Sequence, residues 1–218
     1  MRRRNLILAL IVISGFNPAT AQFFSSYGVK AGLALSNQSY VLTPIDYQMD
    51  TKSILSPNLA FVAELFKADH FSMQTDLAFA CRGSSTTTRS VTVHHLEGDR
   101  LTIEEGEKAT SRFRYLSLSP MLRARTGNEG IDPYALLGPR LDLFLYYSSQ
   151  SEYPLEEQNH FILGLSMGVG IEFPLQRNAL FAEIQFQPDL SPVTNREPLL
   201  VNNNSLVFTV GIRWDRSP

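Results

Sequence analysis

Residues 161–173 read FILGLSMGVGIEF, and this stretch decides the fold class. Every odd-numbered position is large and apolar, whereas the even-numbered positions after Ile162 are glycine, serine or glutamate. Successive side chains of a β-strand point to opposite faces, so a period of two predicts a strand with one apolar face and one small or polar face. The stretch therefore predicts a two-faced strand and not a helix.

The same period of two recurs along the chain from Gln22 onward and predicts an all-β protein. Eight stretches show it: 27–38, 58–66, 71–82, 113–125, 133–147, 161–173, 180–187 and 205–214. Most of them exceed the length of about 5 to 6 residues that is common for strands of soluble proteins. Long two-faced strands favour a barrel wall over a soluble sandwich.

Short and long connections alternate between these stretches, which indicates an up-and-down meander. The short ones are 67–70, 126–132 and 174–178, and the long ones are 39–57, 83–112, 148–160 and 188–204. A meander places all short turns at one end and all long loops at the other, as in outer-membrane barrels with short periplasmic turns. We predict an eight-stranded antiparallel up-and-down transmembrane β-barrel, in which residues 91–93 and 101–103 extend the wall as an external hairpin.

The two faces of the predicted strands differ in charge. One face is apolar throughout, and the opposite face carries the charges and many glycines. The charges on that face are Lys30, Glu64, Asp76, Arg82, Arg123, Arg125, Arg140, Asp142, Glu172, Glu183 and Arg213. Their signs nearly balance, as expected when charges are enclosed together, because an unpaired buried charge is costly. This favours a membrane barrel with a charged lumen over the alternative, a soluble barrel with an apolar core.

We expect a mixed-sign cluster in the lumen. Its predicted members are Lys30, Glu64, Asp76, Arg123, Glu172, Glu183 and Arg213. Lys30 is expected beside both Glu64 and Arg213. The aromatic residues predicted to fill the remaining lumen are Phe66, Tyr134, Phe144, Tyr146 and Phe181.

Two prolines interrupt the pattern. Pro120 and Pro139 lie inside predicted strands, where each removes a hydrogen-bond donor from the ladder. A closed barrel has no free edge that tolerates this loss. We therefore expect β-bulges at the prolines, with the two faces exchanged beyond them.

The chain begins with the pattern of a secretory signal. Residues 1–21 contain three arginines, an apolar middle and Ala19-Thr20-Ala21 as a cleavage site, which leaves 22–218 as the barrel domain. Without the three arginines the chain has 19 − 3 = 16 basic and 21 acidic residues, a balance that does not favour nucleic acid. The single cysteine, Cys81, excludes an internal disulfide.

Five stretches in chain order resemble a known family. They are YGVKAGLALSN (27–37), YLSLSPML (115–122), PYALLGP (133–139), GVGIEF (168–173) and LVFTVGIRW (206–214). The chain resembles the outer-membrane β-barrel domain family common in Bacteroidota, also called porin-family or PorT-like. The resemblance implies an eight-stranded barrel in the cell outer membrane, mostly without assigned activity, and prolines at similar places. The four residues after Trp214 depart from it, because such barrels usually stop near the terminal aromatic that the assembly machinery reads.

The sequence contains no pattern that predicts catalysis. His94 and His95 lie in the longest loop near several acids, but adjacent strand positions face opposite ways, so joint binding of one metal ion is not expected. We expect no enzyme activity, no metal and no cofactor. The expected partners are outer-membrane lipid, the barrel assembly machinery and surface or secretion partners of the external loops. A structural, adhesive or accessory role is favoured; the alternatives are a PorT-like secretion component and a narrow channel.

Overall fold

The computed structural model describes residues 24–42, 47–48, 51–94, 100–127, 130–149, 158–194 and 199–215. The predicted signal peptide lies outside these residues. So do His95 and the tail after Asp215. No helix long and apolar enough to cross a membrane occurs in the described part of the chain.

The eight predicted strands are confirmed, and most are longer than the sequence indicated. The strands are β1 (Phe24–Leu42), β2 (Tyr47–Gln48), β3 (Lys52–Leu65), β4 (Phe71–His94), β5 (Arg100–Arg125), β6 (Asp132–Ser149), β7 (Phe161–Pro174), β8 (Asn178–Pro188) and β9 (Leu199–Asp215). β2 is a two-residue strand that, within the described residues, pairs with the end of β1. β3 ends before Phe66, whose φ of 50° turns the chain out of the strand.

The eight long strands close into a barrel. Each pairs antiparallel with the next in chain order, and β1 pairs with β9 from Ser26↔Asp215 to Leu42↔Leu199. Closure leaves no free edge strand around the barrel, so neighbouring strands can pair their backbone groups all the way round. The connections between β3 and β4, β5 and β6, and β7 and β8 are short, and they share one end of the barrel.

The barrel is inside-out relative to a soluble protein. On β7, Leu163 is 57% exposed, whereas Arg140 on the neighbouring β6 is 1% exposed. The apolar parity of each strand faces outward and the charged parity faces the lumen, which confirms the membrane-barrel prediction over the soluble alternative. Such a wall is stable only where its apolar exterior meets lipid.

The two prolines do not produce the bulges that we expected. Leu118 pairs with Leu141 and Leu122 pairs with Leu137 in one unbroken register, which places Pro120 directly opposite Pro139. Because the two prolines face each other, the two missing N–H donors lie at the same position of the β5–β6 ladder. We call this position the proline gap. The strand faces are not exchanged there, so the predicted change of parity is wrong.

The register shifts instead near the external end of β6. Arg114 pairs with Tyr146, whereas Tyr115 pairs with Phe144, so Leu145 is an extra residue in β6. The bulge turns Tyr146 outward and lets Tyr147 pack inward. Of the aromatics predicted to fill the lumen, Tyr146 is therefore wrongly placed. Phe66 is wrongly placed too, because it lies in the exposed turn after β3.

The predicted hairpin beyond the barrel wall is confirmed by the backbone pairing, and its external side stays a prediction. β4 and β5 stay paired as far as His94↔Arg100. With 24 and 26 residues, they are far longer than the other strands and than the roughly 9 to 11 residues that cross a membrane. The hairpin therefore extends well beyond the barrel.

We predict that Gly138→Ala destabilises the barrel, because a Cβ at Gly138 would lie 2.6 Å from Cα of Met121 and would overlap the carbonyl oxygen of Pro120. The neighbouring backbone must move to admit it, at a cost of about 1 to 3 kcal/mol. The measurement is the thermal unfolding midpoint in detergent. Gly130→Ala is the matched control, since a Cβ there meets no atom within 4 Å. Equal midpoints for the two variants would contradict this account of the proline gap.

Candidate functional site in the barrel lumen

The lumen is filled by three layers of charged side chains. All seven residues of the predicted cluster lie in the two layers nearer the short turns, and all seven are buried. The third layer lies near the external mouth and consists of Arg82, Arg140, Asp142 and Asp189.

The first layer is a ring of alternating charge near the short turns. Arg123 lies 3.2 Å from Glu64 and 2.9 Å from Glu172, and Arg213 lies 3.3 Å and 2.7 Å from the same two carboxylates. Each arginine thus bridges both glutamates. The hydroxyl of Ser72 also donates to Glu64, at 2.6 Å. The ring leaves neither of its carboxylates unpaired.

The second layer is centred on Lys30. Its Nζ lies 2.5 Å from a carboxylate oxygen of Asp76 and 2.5 Å from one of Glu183. The amide nitrogen of Gln74 donates to both acids, at 3.1 and 3.0 Å. The Gln74 carbonyl accepts from Arg213 at 3.1 Å, so it joins the first layer to the second.

Two expected neighbours of Lys30 are corrected by the register. Lys30 pairs with Ala60 and Gly211, whereas Glu64 pairs with Ser26. Four residues along a strand separate the two levels by about 13 Å. Lys30 is therefore not beside Glu64. Arg213 pairs with Gly28, two residues before Lys30, so it lies diagonal to Lys30 and not directly opposite it.

The third layer includes an acid that the sequence reading missed. Arg82 forms an ion pair with Asp142, Arg140 Nε lies 2.9 Å from Asp142, and the Arg140 guanidinium also pairs with Asp189. Asp189 lies in a segment predicted to be an external loop. One indication of a missing acid was present in the sequence: the predicted lumen face carries six basic and five acidic residues. Asp189 is a sixth acid and makes the two numbers equal.

The segment after β8 folds into the external mouth. Asp189 accepts hydrogen bonds from the backbone nitrogen and the side-chain amide of Asn203, at 3.1 and 2.9 Å. Val193 is fully buried against Val201, and its backbone nitrogen donates to the Val201 carbonyl at 2.7 Å. An apolar cluster surrounds it: Phe113, Tyr115, Ile162 and Val201, with Phe144 and Tyr147 packed against them. The mouth is thus covered by the chain's own residues.

Little space remains between the layers. A cavity of about 10 Å³ is lined by small and polar side chains such as Ser117, Ser119 and Thr209. A buried water needs a volume of roughly 10 to 15 Å³ measured in this way. The cavity is thus about the size of one water molecule.

The other residues that suggested chemistry lie apart from these layers. Cys81 is buried, with a free thiol, on the outward parity of β4. His70 and His160 are exposed at opposite ends of the barrel. The side chains of His94 and His95 lie outside the described residues, so the expectation that they bind no metal remains a prediction.

We predict that Glu64→Gln lowers the stability of the barrel by about 3 to 5 kcal/mol, because it removes one partner of a buried charge ring and leaves Arg123 and Arg213 sharing Glu172. The thermal midpoint in detergent measures the effect. Asp69→Asn is the matched control, since Asp69 is exposed in the turn between β3 and β4. If both variants unfold at the wild-type temperature, the ring does not stabilise the fold.

Comparison with known proteins supports the fold. A family described as "Outer membrane protein beta-barrel domain" matches residues 20–195. OprG from Pseudomonas aeruginosa is similar with a TM-score of 0.52 at 12% identity, over 90% of this chain and 98% of that chain. No curated protein sequence matches the chain.

Two further structures show weaker similarity. Ail of Yersinia pestis, solved with the heparin analogue sucrose octasulfate, has a TM-score of 0.39 at 17% identity, over 87% of this chain and 99% of that chain. The outer membrane protease OmpT of Escherichia coli has a TM-score of 0.47 at 8% identity, over 90% and 98%. At these identities the likeness concerns the fold alone. The family match spans most of the chain and agrees with a closed barrel that is apolar outside, so the protein belongs to the outer membrane protein beta-barrel domain family.

Proposed function

We propose that this protein is a non-conducting, non-catalytic barrel that displays the β4–β5 hairpin at the cell surface, where the hairpin binds a surface partner in an adhesive or accessory role. The observation that carries the proposal is the filled lumen. Export by residues 1–21 and insertion of 22–218 by the barrel assembly machinery are part of the proposal, as is membership of the Bacteroidota branch of the family.

The filled lumen argues against transport through the barrel. An eight-stranded barrel is just wide enough for side chains to fill. Here three ion-paired layers occupy it, and Val193 lies buried in the mouth. A solute would have to separate buried ion pairs, and breaking such a pair costs several kcal/mol. Binding outside the barrel therefore fits the structure better than conduction.

The hairpin is suited to binding because its outer edges pair with no other strand among the described residues. β4 pairs with β3 as far as Ser85, and β5 pairs with β6 as far as Ser111. Beyond those points, in the described part of the chain, the two strands pair only with each other. Exposed strand edges are templates to which an extended peptide of another protein can add. We infer that a partner adds a strand along one of these edges.

The filled lumen leads to a prediction about conductance. Purified, refolded protein in planar lipid bilayers should show no stable unitary current steps, because the charged layers and the covered mouth leave no continuous path. An empty bilayer and an open porin are the negative and positive controls. Reproducible steps that disappear on substitution of lumen residues would favour the channel alternative.

Shortening the hairpin tests the binding role. Ser85 pairs with Thr110, so residues 86–109 can be replaced by Asn-Gly, a sequence suited to a two-residue turn. The barrel should fold with an unchanged thermal midpoint, because the described residues of the removed segment pair only with each other. Cells with the shortened protein should adhere less than wild-type cells to plates coated with fibronectin, laminin or mucin.

A strain in which the gene is deleted distinguishes the secretion alternative. Surface and secreted proteomes should be unchanged in the gene-deletion strain. Loss of secreted proteins together with normal adhesion would favour a PorT-like secretion component over the proposed role.

A further inference from the structure

Two arginines lie on the outward face of β5, immediately beyond the apolar band. Arg112 and Arg114 continue the outward parity of Leu116 and Leu118, and both arginines are exposed. The row beneath them is entirely apolar: Phe79, Leu116, Leu143 and Phe161 are paired across β4 to β7. The arginines thus occupy the first outward positions of β5 above this row.

Strand geometry places these arginines at the level of lipid headgroups. From Ala124 to Leu116 the strand rises about 26 Å, or about 20 Å along the membrane normal at a tilt near 40°. Arg114 then lies about 25 Å above Ala124, the height expected for the whole apolar band. Arg112 lies about 5 Å higher by the same geometry. Arg114 therefore marks the upper edge of the hydrocarbon, and Arg112 lies in the headgroup layer.

The bulge in β6 completes the arrangement. It turns Tyr146 outward, and the guanidinium carbon of Arg114 lies 5.1 Å from the centre of the Tyr146 ring. Stacking on an aromatic face restrains a guanidinium while leaving its edge free for hydrogen bonds. An interfacial tyrosine is also a usual anchor at this depth.

No acid neutralises the two arginines within the described residues. Their ladder neighbours are Cys81 and Gly83 on β4 and Tyr146 and Ser148 on β6. At the opposite rim the exposed Lys67 lies 4.0 Å from Asp215. Two guanidinium groups about 7 Å apart along a strand, beside lipid and with no acidic partner among the described residues, are suited to bind an anion of the membrane.

We propose that Arg112, Arg114 and Tyr146 form a binding site for the phosphate of an anionic lipid in the outer leaflet. The planar guanidinium groups donate paired hydrogen bonds to phosphate oxygens. The apolar row of Phe79, Leu116, Leu143 and Phe161 lies directly below and contacts the acyl chains. The ligand is a membrane lipid and not free phosphate, because the apolar row can be covered only by a molecule that carries acyl chains.

Native mass spectrometry of the detergent-solubilised protein tests the site, with phosphatidic acid as the probe and phosphatidylcholine as the neutral control. The wild-type protein should retain phosphatidic acid in preference to phosphatidylcholine. The double variant Arg112→Gln/Arg114→Gln should bind phosphatidic acid about thirtyfold more weakly, since each basic residue at an anionic membrane surface accounts for about fivefold. Tyr146→Leu should weaken binding by less than the double variant.

Arg177→Gln is the matched control, because Arg177 is an exposed arginine in the turn between β7 and β8 at the opposite end. It should leave phosphatidic acid binding unchanged. Folding of each variant is checked by its faster migration in unboiled gels. Equal binding by the double variant, or an equal loss in Arg177→Gln, would overturn the site. Displacement of the lipid by inorganic phosphate would show a free-phosphate site and would overturn the lipid assignment.

Discussion

The closed hydrogen-bonded wall is the constraint on which the rest of this structure depends. A sheet in lipid must pair all its backbone groups, so β1 joins β9 and no edge remains at membrane depth. A closed barrel of eight strands has a lumen so narrow that the side chains pointing into it fill it. Since the apolar parity faces lipid, the opposite parity must fill a narrow enclosed space with polar groups, and each of their charges needs a partner there. The three ion-paired layers follow from closure.

In the first two layers, each charged group contacts partners of the opposite sign directly, which is more than an equal number of positive and negative charges. In the first layer each arginine bridges Glu64 and Glu172, and in the second Lys30 bridges two acids. Gln74 joins these layers through its donors and its acceptor. Such a network is sensitive to the loss of any member, because the remaining partners stay buried. The glycines on the same parity make room for it: a Cβ at Gly211 would lie 2.8 Å from the Lys30 Cβ, and one at Gly164 would lie 2.6 Å from the Arg140 guanidinium carbon.

The period of two predicted the strands, their faces and their order, because those properties depend on local alternation and on loop length. It did not predict the pairing of Lys30 with Asp76 and Glu183, which depends on the register between strands. It also placed Asp189 in an external loop, since a segment that folds back into the mouth carries no period. The two prolines were wrongly predicted to cause bulges. Only the register between β5 and β6 places Pro120 opposite Pro139, and the sequence does not give that register. The external bulge at Leu145 carries no glycine or proline, and it alone determines that Tyr146 faces outward.

The two ends of the barrel differ because only one of them carries long connections. At the short-turn end the wall stops soon after the apolar band, and one exposed cation there, Lys67, lies close to Asp215. At the external end β5 runs on past the band, so its outward parity passes from Leu116 to Arg114 and Arg112 and then into the hairpin. One continuous strand thus contacts hydrocarbon, the headgroup layer and the external medium in succession. The hairpin is joined to the barrel through this strand and β4. Arg112 and Arg114 lie near the midpoint of β5, so binding of lipid phosphate to them would hold the hairpin in place where it leaves the membrane.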